Sequence, residues 1–316
     1  METISIGVPV YRGKAFVAET LASIAAQTHR EIDVLISVDG SDDDSVAACE
    51  PFLRDSRFRL VVQPERLGWV ANINYLMSER RGQFWYYHQQ DDLVAPDYIQ
   101  HLLRAARVRA DAAVLYCDIE TFGERSGPVV QPSVVGDPAA RMLILLHRHL
   151  AAVAFRGLVR GEALCPVRGN ERGDYRADTV WMISAARSGN LVRVPGQLYR
   201  KRYHADNIHT GWGGRPPEEQ EAGWIAHCRD MVVEALLVGA VPSESRLLWG
   251  AGLTRLISYR LGRPRWPRGR EAEGGPSLLS RYLAAFGDRR AAVVSALKLD
   301  WSEIELWSSL QLRKII

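Results

Sequence analysis

Closely spaced cysteines are missing from this chain of 316 residues. Its four cysteines, Cys49, Cys117, Cys165 and Cys228, lie far apart and form no CxxC pair. This spacing predicts neither a zinc cluster nor a disulfide framework, so we expect a reducing, cytoplasmic environment. The opening segment METISIGVPV lacks the basic segment and the apolar core of a signal peptide, which agrees with that expectation.

Long apolar segments and a strong charge imbalance are also missing. No apolar run reaches the roughly 18 residues that a membrane-spanning helix needs, so any membrane contact is expected to be peripheral, at the inner face of the membrane. The net charge of +3 is too mild to predict nucleic-acid binding. The positive charge is nearly all arginine, which suits bidentate phosphate contacts but also fits a simple codon bias.

Glycine-rich phosphate loops are absent as well. Neither GxGxxG nor GxxxxGK[ST] occurs, and Gly250-Ala251-Gly252 has Arg255 where a third glycine would stand. The ordinary dinucleotide-binding and P-loop interpretations are therefore unsupported. A nucleotide site in this chain would have to hold phosphates another way, and a divalent cation bound by carboxylates is the obvious one.

What the sequence does contain is a series of short, nearly continuous apolar runs that alternate with segments of helical spacing. Such runs are typical of strands covered on both faces, and the alternation predicts an α/β fold with a doubly wound, mostly parallel sheet. Sheets of this kind bind ligands beyond the carboxyl ends of their strands. The predicted strands are Ile4–Val10, Ile32–Val38, Phe58–Val62, Phe84–Tyr87 and Ala112–Tyr116.

Polar clusters stand at three of those carboxyl ends. They are Pro9–Arg12, Asp39–Ser41, and the pair Asp91 and Asp92. The last pair ends the stretch FWYYHQQDDL, which runs from a buried strand straight into adjacent carboxylates. Because unpaired ionised groups at such an edge are costly, we expect these carboxylates to meet a cation.

The second half of the chain is less regular. Gly157–Ala177 is expected to be loop-like, Thr179–Arg187 helical, Leu191–Val194 a short strand, and Tyr199–His209 a basic, polar stretch. After Pro216 the pattern predicts helices at Glu218–Ala240, Glu244–Leu261, Leu278–Phe286 and Arg290–Leu299.

We therefore predict a domain over residues 1–215, divided near residue 118, and a helical region over residues 216–316. The helical region could form a homodimer or cover an acceptor site. The arginine-rich linker Arg263–Arg270 within it would be either solvated or in contact with an anionic membrane.

Several motifs in order give a resemblance to glycosyltransferase family 2, of the GT-A fold. The resemblance covers roughly the first two-thirds of the chain. It rests on ISIGVPVYRG (Ile4–Gly13), SIAAQTH (Ser23–His29), VDGSDDDS (Val38–Ser45), LGWVANIN (Leu67–Asn74) and YHQQDDLVAPDYI (Tyr87–Ile99), and more weakly on ADTVWM (Ala177–Met182) and KRYHADN (Lys201–Asn207).

The resemblance implies sugar transfer with inversion, in one displacement. The donor would be a UDP-, GDP- or dTDP-sugar, and the acceptor hydroxyl would belong to a glycan, a lipid-linked molecule or a small molecule. The pathway expected is polysaccharide, cell-surface glycan or glycoconjugate synthesis. A different class remains open: a non-catalytic nucleotide- or carbohydrate-binding module on a decayed transferase fold.

The resemblance also assigns the nucleotide pocket. Asp39 would bind the base, although an Asx-type turn that caps the next helix is the structural alternative. The residues around the first strand would pack on base and ribose, or simply form a strand exit. The nucleotide-binding residues implied are Pro9, Val10, Tyr11, Asp39, Gln90 and Asp91.

The metal site is assigned by the same resemblance. Asp91 would bind Mg²⁺ or Mn²⁺ at the diphosphate, although Gln89 stands where the family commonly has a further aspartate. His204 would contact the metal or the diphosphate, or be a structural histidine. Asp92 would orient Asp91, contact phosphate or acceptor, or cap the next helix.

Roles near the acceptor follow in the same way. Asp178 would be the general base that deprotonates the acceptor hydroxyl, or else a helix N-cap. The family usually has a Glu-Asp pair here, whereas this chain has Ala177 before Asp178. Trp181 would line the acceptor pocket or belong to a helix core. Arg200 and Arg202 would pair with phosphate oxygens or be ordinary structural arginines.

Overall fold

The computed structural model describes residues 2–169, 174–205, 214–261 and 277–315. The linker Arg263–Arg270, and with it the predicted membrane contact, lies outside the described residues. The end of the last family motif, Asp206 and Asn207, also lies outside them.

Strands of the described residues form two sheets. Their bounds are β1 (Ile4–Val10), β2 (Ile32–Val38), β3 (Phe58–Val62), β4 (Phe84–Tyr87), β5 (Leu93–Val94), β6 (Ala112–Tyr116), β7 (Ile119–Gly123), β8 (Gly127–Val129), β9 (Leu158–Arg160), β10 (Asn190–Arg193) and β11 (Tyr199–Tyr203). The larger sheet has the order β10-β6-β9-β4-β1-β2-β3, and the smaller one has the order β5-β11-β7-β8.

Helices follow most of the strands and fill the C-terminal part. They are α1 (Val17–Ala25), α2 (Ser45–Cys49), α3 (Trp69–Ser78), α4 (Tyr98–Val108), α5 (Pro138–His147), α6 (Ala177–Ser188), α7 (Pro217–Leu236), α8 (Pro242–Leu261), α9 (Leu278–Ala284), α10 (Arg290–Leu297) and α11 (Trp301–Ile315). None of the described helices is both long and apolar enough to cross a bilayer.

The larger sheet confirms the predicted α/β architecture. β1 pairs in parallel with β2 and β4, and β2 pairs in parallel with β3, so the carboxyl ends of these strands lie at one edge. Both faces are covered, as the continuous apolar runs predict: six of the seven residues of β1 are buried. Gly7 allows β1 to lie against Trp85, since a Cβ at this position would stand 2.2 Å from the indole ring.

One central strand, β9, lies inside the segment predicted to be a loop. It pairs antiparallel with both β4 and β6 and so makes the sheet mixed. Only Leu158, Val159 and Arg160 take part, which is too short a run to show a period of two. Gly157 precedes it at a place where a Cβ would lie 2.4 Å from the Leu115 carbonyl oxygen.

The smaller sheet also contains a strand that the sequence analysis did not predict. β11, of sequence YRKRY, pairs in parallel with β7 and antiparallel with β5. Its three consecutive basic residues between two tyrosines hide the usual apolar signal of a strand. The pairing sets His204, the residue after β11, close to Asp91, which precedes β5.

The chain divides into two compact units by contact. The first comprises Met1–Val135, Leu150–Arg168 and Ser188–Asn207, and the second comprises Gly136–His149, Gly169–Arg187 and Ile208–Ile316. Both sheets belong to the first unit, whereas α5, α7 and the helices after it belong to the second. The predicted domain boundary at residue 215 stays a prediction.

The second unit has its own aromatic and polar core. Trp224 donates its indole N–H to the Leu256 carbonyl at 3.0 Å, and Trp249 donates to Ser308 at 2.9 Å. Buried Arg255 donates through one terminal nitrogen to the carbonyls of Leu145 and Leu146, each at 3.2 Å, at the end of α5. A cation at the carboxyl end of a helix complements the helix dipole, which stabilises this arrangement.

Candidate nucleotide and metal site

Asp39 holds the loop that leads into α3. Its side chain is only 2% exposed. One carboxylate oxygen accepts from the Leu67 N–H at 2.6 Å and the other from the Gly68 N–H at 2.9 Å. Asp39 therefore supports α3, which begins 30 residues later. The Asx-turn alternative predicted instead that Asp39 caps the next helix, α2. Each oxygen keeps a second acceptor position, so the predicted contact with a base stays a prediction.

Gln90 fixes the backbone of Tyr11. Its side-chain oxygen accepts from the Tyr11 N–H at 2.8 Å, and its side-chain nitrogen donates to the Tyr11 carbonyl at 2.9 Å. The neighbouring Val10 is fully buried and its carbonyl accepts from the Asp39 N–H at 2.7 Å, so its side chain is part of the core. Pro9 is half-buried within β1. The predicted pocket residues are thus joined to one another through the backbone.

The Tyr11 ring carries a partner that the sequence analysis missed. The Arg66 guanidinium lies 3.9 Å from the ring centroid, which is a close cation–π contact. Arg66 directly precedes the family-like motif LGWVANIN, and that position was the only available signal. The exposed arginine thus covers the ring of the residue that follows β1.

Asp91 and His204 meet although 113 residues separate them. His204 Nε2 lies 2.9 Å from Asp91 Oδ2, and both side chains are partly buried. The ring of His204 also packs on Phe16, with 4.7 Å between the centroids. The pair brings together the carboxylate and the imidazole that were predicted to bind a metal.

The chemistry of this pair fits a divalent metal with few protein ligands. No group of three or more His, Cys, Asp or Glu side chains suited to a metal occurs within the part of the chain that the structure describes. Asp91 and His204 would thus supply one oxygen and one nitrogen. A bound Mg²⁺ or Mn²⁺ would take its remaining ligands from substrate phosphates and water.

Asp92 turns away from the site and holds β11. It is fully buried. It accepts from the Tyr199 hydroxyl at 2.6 Å and from the Arg202 N–H at 2.8 Å, and Arg156 lies 3.6 Å away. Burial, and next the charge of Asp91, raise the pKa of Asp92 to about 6. Asp92 does not cap α4, and we propose a supporting role for it in place of contact with phosphate or acceptor.

The two predicted phosphate contacts on β11 differ in their surroundings. Arg202 is enclosed: its Nε donates to the Asp91 carbonyl at 2.9 Å, and its terminal nitrogen pairs with Glu19. Arg200 is exposed, with its guanidinium 4.5 Å from the Phe122 ring, and no carboxylate pairs with it in the described ranges. Arg200 is the freer of the two for a phosphate.

Asp178 lies in the first turn of α6, inside the helix and not at its N-cap. The helix begins at Ala177, and Asp178 Oδ1 accepts from the N–H of the next residue, Thr179, at 2.8 Å. Arg176 precedes the helix with a φ of 55°, an uncommon backbone conformation for a residue other than glycine. Trp181 is 1% exposed, which agrees with the helix-core alternative and not with a pocket wall.

Comparison with known families decides the classification. The sequence model of the family described as "Glycosyl transferase family 2" matches residues 5–148. This range contains Asp39, Asp91 and, apart from Ile4, every stronger motif of the resemblance. Residues 5–148 belong to glycosyltransferase family 2.

Relatives of this chain include a putative glycosyltransferase, EpsH, of Bacillus subtilis. The two are 30% identical over 229 residues, which is 66% of this chain and 63% of EpsH. The alignment thus spans less than two thirds of the relative.

Among solved structures, TarS from S. aureus, residues 1–349 in complex with UDP-GlcNAc, is similar with a TM-score of 0.70 and 16% identity. The match covers 98% of this chain and 88% of the TarS chain. The mannosyltransferase PcManGT from Pyrobaculum calidifontis, in complex with GDP-Man and Mn²⁺, has a TM-score of 0.54 and 15% identity, with 99% and 86% covered. These similarities confirm the predicted GT-A type fold.

Near the end of β4, buried polar side chains form two hydrogen bonds that sequence reasoning did not identify. The Tyr86 hydroxyl lies 2.8 Å from His88 Nδ1, and the Tyr98 hydroxyl donates to the Arg156 carbonyl. Burial lowers the pKa of His88 to about 3, so the imidazole is neutral at physiological pH. These side chains stem from β4 and α4, where periodicity predicts burial but cannot show which polar atoms meet.

Proposed function

We propose that this chain is an inverting glycosyltransferase that moves a sugar from a nucleoside diphosphate donor to an acceptor hydroxyl. The observation that carries the proposal is the 2.9 Å contact between Asp91 and His204 beside the Asp39 and Tyr11 pocket. Membership of family 2 supports it. The donor complexes of TarS with UDP-GlcNAc and of PcManGT with GDP-Man agree with a sugar nucleotide as substrate.

The donor residues lie in the first unit and act in three ways. Asp39 and Tyr11 hold the base, while Gln90 fixes the Tyr11 backbone. Asp91 and His204 would hold Mg²⁺ or Mn²⁺. Such an ion, when bound, would neutralise charge on the departing diphosphate. Arg200 offers a further cation to a phosphate oxygen.

Asp178, in the second unit, acts on the acceptor. Its carboxylate takes the proton of the acceptor hydroxyl while that oxygen forms a bond to the anomeric carbon. The bond from the anomeric carbon to the diphosphate oxygen breaks on the opposite face, and the electron pair leaves with the nucleoside diphosphate. One displacement of this kind inverts the anomeric centre.

We place this activity in the cytoplasm, at the inner face of the membrane when the acceptor is lipid-linked. Polysaccharide, cell-surface glycan or glycoconjugate synthesis fits such an enzyme. Glycans, lipid-linked molecules and small molecules all present the required hydroxyl. Homodimerisation through the C-terminal helices is part of the proposal.

Thermal shift with nucleoside diphosphates tests the donor site. UDP, GDP and dTDP are each added to the protein with and without Mn²⁺, and the melting temperature is followed. A ligand at about 100 times its Kd stabilises the native state by about 2.7 kcal/mol. We expect one nucleotide to raise the melting temperature, and to raise it more with Mn²⁺ than without, because the metal would strengthen diphosphate binding. Absence of any shift with all three would refute the proposed donor site.

A further inference from the structure

Arg202 has an unusually complete set of contacts for an arginine beside a substrate site. Its guanidinium carbon lies 4.7 Å from the centroid of Phe16 and 4.5 Å from that of Phe122. At its edge, Nε donates to the Asp91 carbonyl at 2.9 Å and a terminal nitrogen pairs with Glu19. The side chain is only 16% exposed. Rings and acceptors from α1, β7 and the Asp91 turn thus fix its position.

The same residue is connected to both members of the proposed metal pair. The Arg202 side-chain Nε donates to the backbone carbonyl of Asp91, and the Arg202 backbone N–H donates to the Asp92 carboxylate at 2.8 Å. His204 follows two residues later, directly after the end of β11. Phe16 accordingly contacts both Arg202 and His204, each at 4.7 Å.

The charge of Arg202 is already neutralised within the protein. Glu19, from α1, supplies the opposite charge, and the two rings shield the guanidinium from solvent. Only a planar, delocalised cation can stack on aromatic rings and donate along its edge at once, which a lysine ammonium cannot do. These contacts suit a residue that holds others in place better than one that binds a phosphate.

We propose that Arg202 is a positioning residue, which sets the Asp91 carboxylate and the His204 imidazole for a divalent metal bound to a nucleoside diphosphate. It acts through these two residues and does not contact the diphosphate. The inference rests on the proposed function and replaces the sequence-based prediction of a phosphate contact for Arg202.

Nucleotide titrations in two conditions separate positioning from direct contact. UDP, GDP and dTDP are titrated calorimetrically, once in EDTA and once in Mn²⁺, into wild type, Arg202→Met, Arg202→Lys and Arg54→Gln. The last variant is a matched control, since Arg54 is an exposed arginine of the same unit without an ion pair among the described residues.

A positioning role predicts that both Arg202 variants bind nucleotide in EDTA within about twofold of wild type. It also predicts that the gain in affinity from Mn²⁺ falls about tenfold or more in both, because changing a residue that orients metal ligands typically costs 10–100-fold in metal affinity. Arg54→Gln should match wild type in both conditions.

Direct phosphate contact gives the opposite pattern and would overturn the inference. Arg202→Met would then lose affinity in EDTA as much as in Mn²⁺, and Arg202→Lys would keep most of the affinity because its charge remains. A lower melting temperature with an unchanged gain from Mn²⁺ would also overturn it, since that result means a purely structural role.

Glu19→Gln provides a milder variant should the Arg202 variants fail to fold. Glu19 is 58% exposed, so its amide should fold normally while releasing one edge of the guanidinium. For Glu19→Gln we expect unchanged nucleotide affinity in EDTA. We also expect the gain in affinity from Mn²⁺ to fall, but by less than in the Arg202 variants, and an unchanged gain would contradict the inference. If wild type binds none of the nucleotides, or binds without a gain from Mn²⁺, the proposed function itself fails.

Discussion

Asp92 is a fully buried carboxylate, unlike an ordinary surface aspartate. Its charge is buried, and a hydroxyl, a backbone N–H and the nearby Arg156 stabilise it. Burial raises its pKa to about 6, above the ordinary value of 3.8. Compared with an aspartate of ordinary pKa, the raised pKa stabilises the folded protein at acidic pH. This stabilisation is complete below pH 3.8 and is lost as the pH rises through about 6.

Removal of one donor should therefore matter most when Asp92 is ionised. Tyr199→Phe is expected to lower the free energy of unfolding at pH 8 by about 1.5–3 kcal/mol, the usual range for a hydrogen bond to a charged group. The loss should be smaller at pH 5, where Asp92 is largely protonated. Urea unfolding at the two pH values measures the difference.

Tyr75→Phe is the matched control for that variant. Tyr75 is half-buried, and its hydroxyl has no hydrogen-bond partner in the ranges that the structure covers. We expect little change at either pH. Equal losses for Tyr199→Phe at pH 5 and pH 8 would contradict the role given to the Asp92 charge.

At this scale the sequence revealed the residue types but not their directions. Asp91 and Asp92 are neighbours in the chain, yet Asp91 faces His204 and Asp92 faces Tyr199. Proximity of Asp91 to His204 was implied by the family resemblance alone, since spacing cannot show a contact across 113 residues. No sequence pattern marked Arg66. Its contact with the Tyr11 ring joins two separate loops, and the sequence alone does not show that these loops meet.

Among the elements, β1 depends on a glycine at a close approach. Gly7→Ala would place a methyl group 2.2 Å from the ring of Trp85, a buried and rigid neighbour. We expect a loss of about 1–3 kcal/mol in the free energy of unfolding, as overpacked cores usually show. Denaturant unfolding of the whole chain measures it.

Gly250→Ala, in α8, is the corresponding control. The nearest atom to a Cβ there is the Trp307 ring at 3.9 Å, an ordinary contact distance. Alanine in a helix interior is favoured over glycine by about 0.5–1 kcal/mol, so this variant should be slightly more stable. Destabilisation by Gly250→Ala, or none by Gly7→Ala, would refute the packing described for the two elements.

Element prediction succeeded where periodicity was strong and failed where it was weak. Five of the six predicted strands match β1, β2, β3, β4 and β6 in their bounds because each is an apolar run, and the sixth, Leu191–Val194, corresponds to β10 shifted by one residue. β9 is three residues long, and β11 is mostly basic, so neither has a period to detect. α11 was missed as well: its buried face, Ile304, Ser308 and Leu312, includes a serine that weakens the stripe.

For the whole molecule, the proposed roles are divided between the two compact units. Asp39, Asp91 and His204 belong to the first unit, whereas Asp178 belongs to the second. Sequence patterns predicted the carboxyl edge of the sheet, because strand order and polar ends follow from local pattern. They could not predict the units, since α5 and α6 join the C-terminal helices through contacts distant in sequence.

The most direct test of the account is sugar transfer by Asp178→Asn compared with wild type. With Mn²⁺, a sugar nucleotide that binds and an acceptor, both release of nucleoside diphosphate and donor affinity are measured. We predict that turnover by Asp178→Asn falls by about 10²–10⁴-fold, the usual contribution of a general base, while the Kd for donor stays unchanged. Undiminished transfer by Asp178→Asn would contradict the account.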